Sequence, residues 1–319
     1  MDVRELSGLL KANIGKAIIG KDEVIENVII ALLCKGHILL EDIPGTGKTT
    51  LAKALALSVD CDFRRIQFTP DLLPSDLTGI NFYNRKEDAF QFRKGAVFTN
   101  ILLADEINRA TPRTQSSLLE CMEERQSTID GVTYKMQEPF LVVATENPIE
   151  IQGTFPLPEA QLDRFFLQLK MGYPSFENEM CILDRYILDT PLESIAAVVT
   201  ASDIIAAQSS VRRVSAGSAV KEYILRIVEA TRTNPRIHLG VSPRGSLALL
   251  RAAQGHAAVN GRDFVLPDDV KAMTKPVICH RIICRGSMMS NASEVADTIV
   301  TELLDSVPVP IEKTESPAD

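Results

Sequence analysis

The chain has 319 residues, enough for one large and one smaller domain, and its 45% hydrophobic and 24% charged residues match an ordinary globular protein rather than a disordered one. A net charge of -8, without any run of lysines or arginines, argues against non-specific binding to nucleic acid. The longest apolar stretch, Val24 to Leu40, is broken by Glu26, Asn27, Lys35 and His37, short of the roughly 20 apolar residues of a membrane span. The opening MDVRELSGLL lacks the basic and apolar regions of a signal peptide, so the expected compartment is the cytoplasm. Six scattered cysteines fit reduced, buried thiols better than a disulfide framework.

In chain order, Val24, Ile25, Val28, Ile29 and Leu32 recur at helical spacing and lead into HILLED (37–42), a short apolar run of strand type. A loop with Pro44, Gly45 and Gly47 follows, and then TTLAKALAL (49–57), rich in strong helix formers. Further apolar runs at Ile101–Ala104 and Phe140–Ala144, each followed by polar clusters and helical stretches, predict a mostly parallel sheet flanked by helices. The stretch Ser127–Met136 alternates around Asp130-Gly131, a dipeptide suited to a tight hairpin turn. After Pro174 the strand signals fade, and helices are expected at Val220–Thr231, Pro243–Ala258, Pro267–Ile278 and Ser293–Leu304, before a polar, proline-containing tail.

The segment Pro44-Gly45-Thr46-Gly47-Lys48-Thr49 lies between strand and helix, the context that makes a phosphate-binding loop out of such a pattern. Its glycines let backbone amides curl around phosphate oxygens at a helix N-terminus. Lys48 would reach the β- and γ-phosphates, and Thr49 would place its hydroxyl on magnesium. The full pattern carries glycine at position 42, where this chain has Asp42, so the entry to the loop is expected to differ while the site is kept. The run ILLADEINR (101–109) is an apolar strand ending in two carboxylates. Asp105 can hold magnesium and Glu106 can polarise the attacking water; taken alone, the pair could equally cap a helix.

Through EDIPGTGKTTLAKALA (41–56), QFTPDLLPSDLTG (67–79), ILLADEINRA (101–110), ATENPIE (144–150), LPEAQLDRFF (157–166) and GVSPRGSLALLRAAQ (240–254), the chain resembles the AAA+ ATPases, and among them the MoxR family. The likeness reaches over all but the last ten or so residues. It implies an α/β P-loop core over 1–172, with the Walker A and Walker B motifs, an α-helical lid over 173–309, and a flexible tail over 310–319. It implies ATP and Mg2+ as cofactors, with Pro44, Gly45, Thr46, Gly47, Lys48, Thr49 and Thr50 around the phosphates and Ile19-Gly20 at the adenine. Asn147 matches the first sensor, although a turn asparagine before Pro148 would look the same. Arg164 matches the arginine finger given to a neighbouring subunit, the plainer alternative being a local salt bridge with Asp163 or Glu159. Arg244 matches the second sensor, or is a solvated arginine in a first helical turn. Arg109 and Arg113 suit either an interface or a surface.

The resemblance further implies a homo-oligomeric ring of six subunits doing chaperone-like work on proteins that carry a von Willebrand factor A domain, with the hairpin at Asp130-Gly131 and the Phe68–Phe82 insertion facing pore or client. Two rivals have other chemistry: a nucleotide-gated scaffold with little turnover, and a nucleic-acid motor. Cys279, His280 and Cys284 lack a clear fourth ligand and read as core residues rather than a zinc site.

Overall fold

A computed structural model describes residues 1–43, 45–147, 153–188, 191–286 and 292–310. Pro44 of the expected phosphate loop and residues 311–319 of the expected tail lie outside them. The chain divides into two compact units, Met1–Ser209 and Ser210–Asp319.

In the first unit the elements run α1 (Val3–Ile14), α2 (Asp22–Leu33), β1 (Ile38–Glu41), α3 (Lys48–Val59), β2 (Phe63–Gln67), α4 (Pro74–Thr78), β3 (Gly79–Asn84), β4 (Ala89–Lys94) and β5 (Ile101–Asp105). They continue with α5 (Pro112–Glu124), β6 (Gln126–Ile129), β7 (Val132–Lys135), β8 (Leu141–Glu146), α6 (Glu159–Leu162), β9 (Leu167–Leu169), α7 (Phe176–Leu188) and α8 (Ala201–Val211). Five strands form a parallel sheet in the order β2-β5-β8-β1-β9. Its inner strands are the apolar runs of the sequence, ILLAD, LVVATE and ILLE, buried on both faces as a helix-covered parallel sheet requires. The edge strand β2, FRRIQ, escaped the sequence reading because its arginines face solvent, as edge strands tolerate. Against one face of the sheet, Leu39, Leu102, Ala104, Val142 and Ala144 share a core with Leu118, Leu119 and Met122 of α5 and with Phe165.

The hairpin expected at Asp130-Gly131 is β6–β7, with both turn residues at positive φ, 50° and 82°, the geometry of a two-residue turn matched to strand twist. A second hairpin, β3–β4, lies beside it: Asn81 Nδ2 donates to Asp130 Oδ2 at 2.8 Å, and Phe92 stacks on Tyr134 with centroids 4.1 Å apart. The helical region begins after Pro174, as the sequence suggests, but the division between units comes later than residue 172. The reason is local bonding. Asn13 Nδ2 donates to Ser58 Oγ and to the Ala196 carbonyl, both at 2.9 Å, and Gln208 Nε2 donates to the Leu32 carbonyl at 2.8 Å, so the stretch leading into α8 is fastened to α1, α2 and α3.

The second unit contains α9 (Ser218–Thr233), β10 (Ile237–Leu239), α10 (Pro243–Val259), α11 (Pro267–Ile278), β11 (Ile283–Cys284) and α12 (Ala292–Ser306). The short antiparallel pair β10–β11 is the departure from an all-helical expectation; strands of two and three residues carry no periodicity to read. Asp269, 1% exposed, caps α11 by accepting from the Leu266 amide at 2.7 Å, while Arg262 forks onto both its oxygens at 2.5 Å and His256 Nδ1 lies 2.6 Å away. Burial alone would raise its pKa, yet these donors outweigh it and hold the carboxyl at about 2. Asp269→Ala strands the Arg262 guanidinium and a helix-terminal amide, and is expected to lower stability by roughly 3 kcal/mol in urea unfolding.

His37, just before β1, is fully enclosed. Its Nδ1 accepts from the Val142 amide at 3.0 Å, so Nε2 carries the proton and donates to the Met122 carbonyl at 3.0 Å. Burial first, and then the nearby Arg125 charge, lower its pKa from 6.5 to about 3. The folded chain therefore binds fewer protons than the unfolded one between those values, and stability should fall as pH drops from 6.5 towards 3, by at most about 1.4 kcal/mol per unit from this group. Urea unfolding of the wild type and His37→Gln at pH 7 and pH 5 checks it: the variant should show the smaller loss between the two pH values.

Candidate nucleotide site

All five strands of the sheet point the same way, so Glu41, Gln67, Asp105, Glu146 and Leu169 end on one edge, where Glu41 pairs in register with Glu146 and Gln67 with Asp105. Ligands of open α/β sheets bind beyond this carboxyl edge. The loop after β1 leads straight into α3, whose first residue is Lys48 and whose N-cap is Gly47. Gly45 and Gly47 have φ of 85° and 92°, and a Cβ at either would meet nothing closer than 3.8 Å. Backbone conformation, not space, therefore demands glycine there. Thr46 Oγ1 donates to the Ile43 carbonyl at 3.3 Å, and Lys48 Nζ donates to the carbonyls of Asp42 and Ile43 at 2.9 and 3.0 Å. Thr49 and Thr50 follow in the first turn of α3, both half-buried.

Asp42 is a structural anchor. Its Oδ1 accepts from the Ile43 amide at 2.8 Å, and its Oδ2 accepts from the amides of Met171 and Gly172 at 3.0 and 2.9 Å. Its own amide donates to the Glu146 carbonyl at 3.1 Å. A glycine would remove the anchor, and since Asp42 is not among the positive-φ residues, the backbone does not ask for one. Ile19 is half-buried and Gly20 exposed with φ 69°, where a Cβ would strike the Asn178 side chain. The neighbouring Ile18, which the sequence reading passed over, has its Cδ1 on the Gly47 side of this segment, together with the Met171 methyl.

Asp105 closes β5, and Glu106 follows with left-handed backbone, φ 55° and ψ 54°, a conformation that costs a non-glycine residue free energy and tends to occur at functional sites. The Thr145 hydroxyl binds both: it donates to Asp105 Oδ1 at 2.6 Å and accepts from the Glu106 amide at 2.8 Å. Arg65 reaches Asp105 Oδ2 through Nε at 3.1 Å and Nη2 at 2.7 Å. Glu106 Oε2 accepts from Gln67 Nε2 at 2.6 Å and from Arg109 Nη1 at 2.9 Å. Arg65, Gln67 and Thr145 were invisible to sequence reasoning, because only the register of β2, β5 and β8 brings them to the carboxylates. Arg109, left between interface and surface, here pairs with Glu106, while Arg113 is exposed on the first turn of α5.

Asn147 is buried directly after β8. Arg164 pairs with Glu123 of α5 at 3.2 Å, a partner the sequence did not suggest. Arg244 is exposed in the first turn of α10, behind Ser242, whose hydroxyl caps the Gly245 amide at 3.2 Å. Thr49 brings a hydroxyl oxygen and Asp105 a carboxylate, the hard oxygen donors that magnesium would take. Among the described residues no cluster of three histidines, cysteines or acids could cage a metal, and Mg2+ characteristically takes one or two protein oxygens and completes its shell with phosphate and water. Cys284 and His280 are buried in the second unit. Among the described residues no helix is long and apolar enough to cross a membrane.

Two family models match the chain, the "ATPase family associated with various cellular activities (AAA)" over residues 37–167 and the "AAA lid domain" over 229–303. Chaperone MoxR1 of Mycobacterium tuberculosis is 39% identical, the match covering 92% of this chain and 80% of that protein. The chain belongs to the MoxR family of AAA+ ATPases. Protein MoxR of Methylorubrum extorquens is 28% identical over 97% of this chain and 96% of its own, and the uncharacterized protein YeaC of Bacillus subtilis is 47% identical over 98% of both. A crystal structure of an ATPase candidate from Cytophaga hutchinsonii aligns with a TM-score of 0.88 at 36% identity, covering 97% of this chain and 96% of that one. The AAA+ core and lid expected from the motifs are thus the architecture of this MoxR-family chain.

One carboxyl of this edge has a shifted pKa. Glu146 lies beside Glu41, which accepts from Gln168 Nε2 at 2.7 Å, and burial first, then the Glu41 charge, raise the Glu146 pKa from 4.5 to about 7. The folded state here binds more protons than the unfolded one, so stability falls as pH rises from 4.5 through 7. Glu146→Gln should be more stable than wild type by roughly 2 kcal/mol at pH 8 and little different at pH 4.5, read from denaturant midpoints.

Proposed function

We propose that this chain binds ATP with Mg2+ through the loop at 44–50 and hydrolyses it at the boundary between subunits of a homo-oligomeric ring, six to the ring, using the motion to remodel protein partners. The observation that carries the reading is the meeting, on one sheet edge, of the α3 N-terminus with the adjacent carboxylates Asp105 and Glu106, only β8 intervening between their strands.

Each role rests on chemistry the residue can supply. The amides at the start of α3 and the Lys48 ammonium bind phosphate oxygens, and Lys48 is held meanwhile on backbone carbonyls it can exchange for phosphate. Thr49 and Asp105 hold the metal, which when bound supplies charge neutralisation at the phosphates. Glu106 orients and polarises the attacking water, and Asn147, a neutral amide, positions it or the γ-phosphate. Arg164 is the finger for a neighbouring copy: its guanidinium keeps its charge and matches phosphate geometry, and its one-third exposure leaves it able to exchange the ion pair with Glu123 for phosphate. Arg244, in the first turn of α10, senses nucleotide from the lid, and Ile19 and Gly20 border the base.

The name of one relative, Chaperone MoxR1, supports work on proteins, and clients with a von Willebrand factor A domain are the class we assign. The β3–β4 and β6–β7 hairpins are the client-facing segments; Phe82, Tyr83 and Phe90 of the first are exposed. A gated switch with little turnover is the second reading, favoured by the own-chain partners on both Asp105 and Glu106.

Steady-state ATP turnover against protein concentration, with particle mass followed in parallel, separates the two. Activity per chain should rise as oligomers form. Glu106→Gln and Arg164→Ala should each lower it by about 10³-fold while still binding ATP. Turnover that ignores assembly and is normal in Arg164→Ala would overturn the shared site, and no turnover at any concentration, with client present, would leave the switch.

A further inference from the structure

The two carboxylates of the site are linked by an unbroken chain of hydrogen bonds. Arg65 forks onto Asp105 Oδ2 with Nε at 3.1 Å and Nη2 at 2.7 Å, and the same Nη2 donates to Gln67 Oε1 at 2.9 Å. Because the Gln67 oxygen is taken by Arg65, its NH2 group faces the other way and donates to Glu106 Oε2 at 2.6 Å, where Arg109 also donates at 2.9 Å. Arg65 and Gln67 lie two residues apart on the edge strand β2, so both side chains leave the same face, and the register that pairs Gln67 with Asp105 sets them beside the carboxylates.

The donors leave Asp105 little capacity. A carboxylate oxygen accepts about two hydrogen bonds; Oδ2 already has two from Arg65, and Oδ1 has one from Thr145. A guanidinium is also a full positive charge lying on this carboxylate, and it repels a divalent cation that approaches within a few ångströms. The Asp105 side chain is 13% exposed and that of Arg65 46%. The arginine can therefore swing to solvent at small cost, whereas the aspartate cannot leave.

We propose that Arg65 is a positioning residue of the metal site, a built-in counter-ion that occupies Asp105 until the divalent cation arriving with nucleotide takes its place. This rests on the reading of the site as a nucleotide site.

Mn2+ binding to the full-length, nucleotide-free protein, read from the electron paramagnetic resonance of free Mn2+, tests the counter-ion directly. Arg65→Ala should bind Mn2+ at least about fivefold more tightly than wild type, and adding Asp105→Asn should abolish the gain. Arg65→Lys, which keeps the charge, should stay nearer wild type, and Gln67→Ala, which removes one acceptor of Arg65 but leaves its charge on Asp105, should gain less than Arg65→Ala. Unchanged or weaker Mn2+ binding in a folded Arg65→Ala protein overturns the proposal, and circular dichroism of each variant confirms the fold. A fluorescent ATP analogue that fails to bind wild type with or without Mg2+ would sink the nucleotide reading itself, whereas normal analogue binding with unchanged Mn2+ affinity in Arg65→Ala would sink only the counter-ion.

Discussion

The hydroxyl of Thr145 ties the site together. It lies on β8, the strand between the phosphate loop's strand and the strand of the two acids, and it serves Asp105 as a donor and the Glu106 amide as an acceptor. One residue on, the Glu146 carbonyl receives the Asp42 amide, so consecutive residues of a single buried strand hold the acids on one side and the loop on the other. Rigid strands position functional groups more closely than loops do. Glu106 accepts an unfavourable backbone conformation here, and its hydrogen-bonded amide helps to hold it there.

Charge on the sheet edge is arranged in the same local way. Asp42 accepts hydrogen bonds from three backbone amides, while Lys48 lies on the loop carbonyls. Asp105 and Glu106 each carry an arginine of their own chain. Glu41 takes an amide donor from Gln168, and Glu146 keeps its proton into the neutral range. Five carboxyl groups at one edge would repel strongly if they were treated alike. Each instead has its own solution: amides, guanidinium, a side-chain amide or a proton.

Motifs that occupy contiguous residues were legible from the chain. The glycine loop, the apolar strand ending in Asp105-Glu106 and the Asp130-Gly131 turn each encode their geometry in neighbouring residues, and the parallel sheet followed from apolar runs alternating with helical stretches. Elements stabilised by partners distant in sequence were not. The strand β2 carries two arginines and acquires its identity only by pairing with β5. The stretch near Ala196 belongs with the first unit because Asn13 and Ser58 bind it, and β10–β11 is too short to show a period. The departure at Asp42 read only as a changed entry to the loop; that it is an anchor was not legible, because the amides of Met171 and Gly172 that it binds lie far along the chain.

The sequence alone determined the class of the protein: an α/β phosphate-loop core with a helical lid, in the MoxR family, with Lys48, Thr49, Asp105 and Glu106 in order along it. Those features depend on backbone conformations and hydrogen bonds made among near neighbours, and near neighbours leave a mark on local residue order. Tertiary structure decided which side chains attend the acids. Arg65, Gln67 and Thr145 are separated from Asp105 and Glu106 by about 40 residues in either direction, and only the register of three parallel strands, set by apolar burial on both faces, converts that separation into a hydrogen bond.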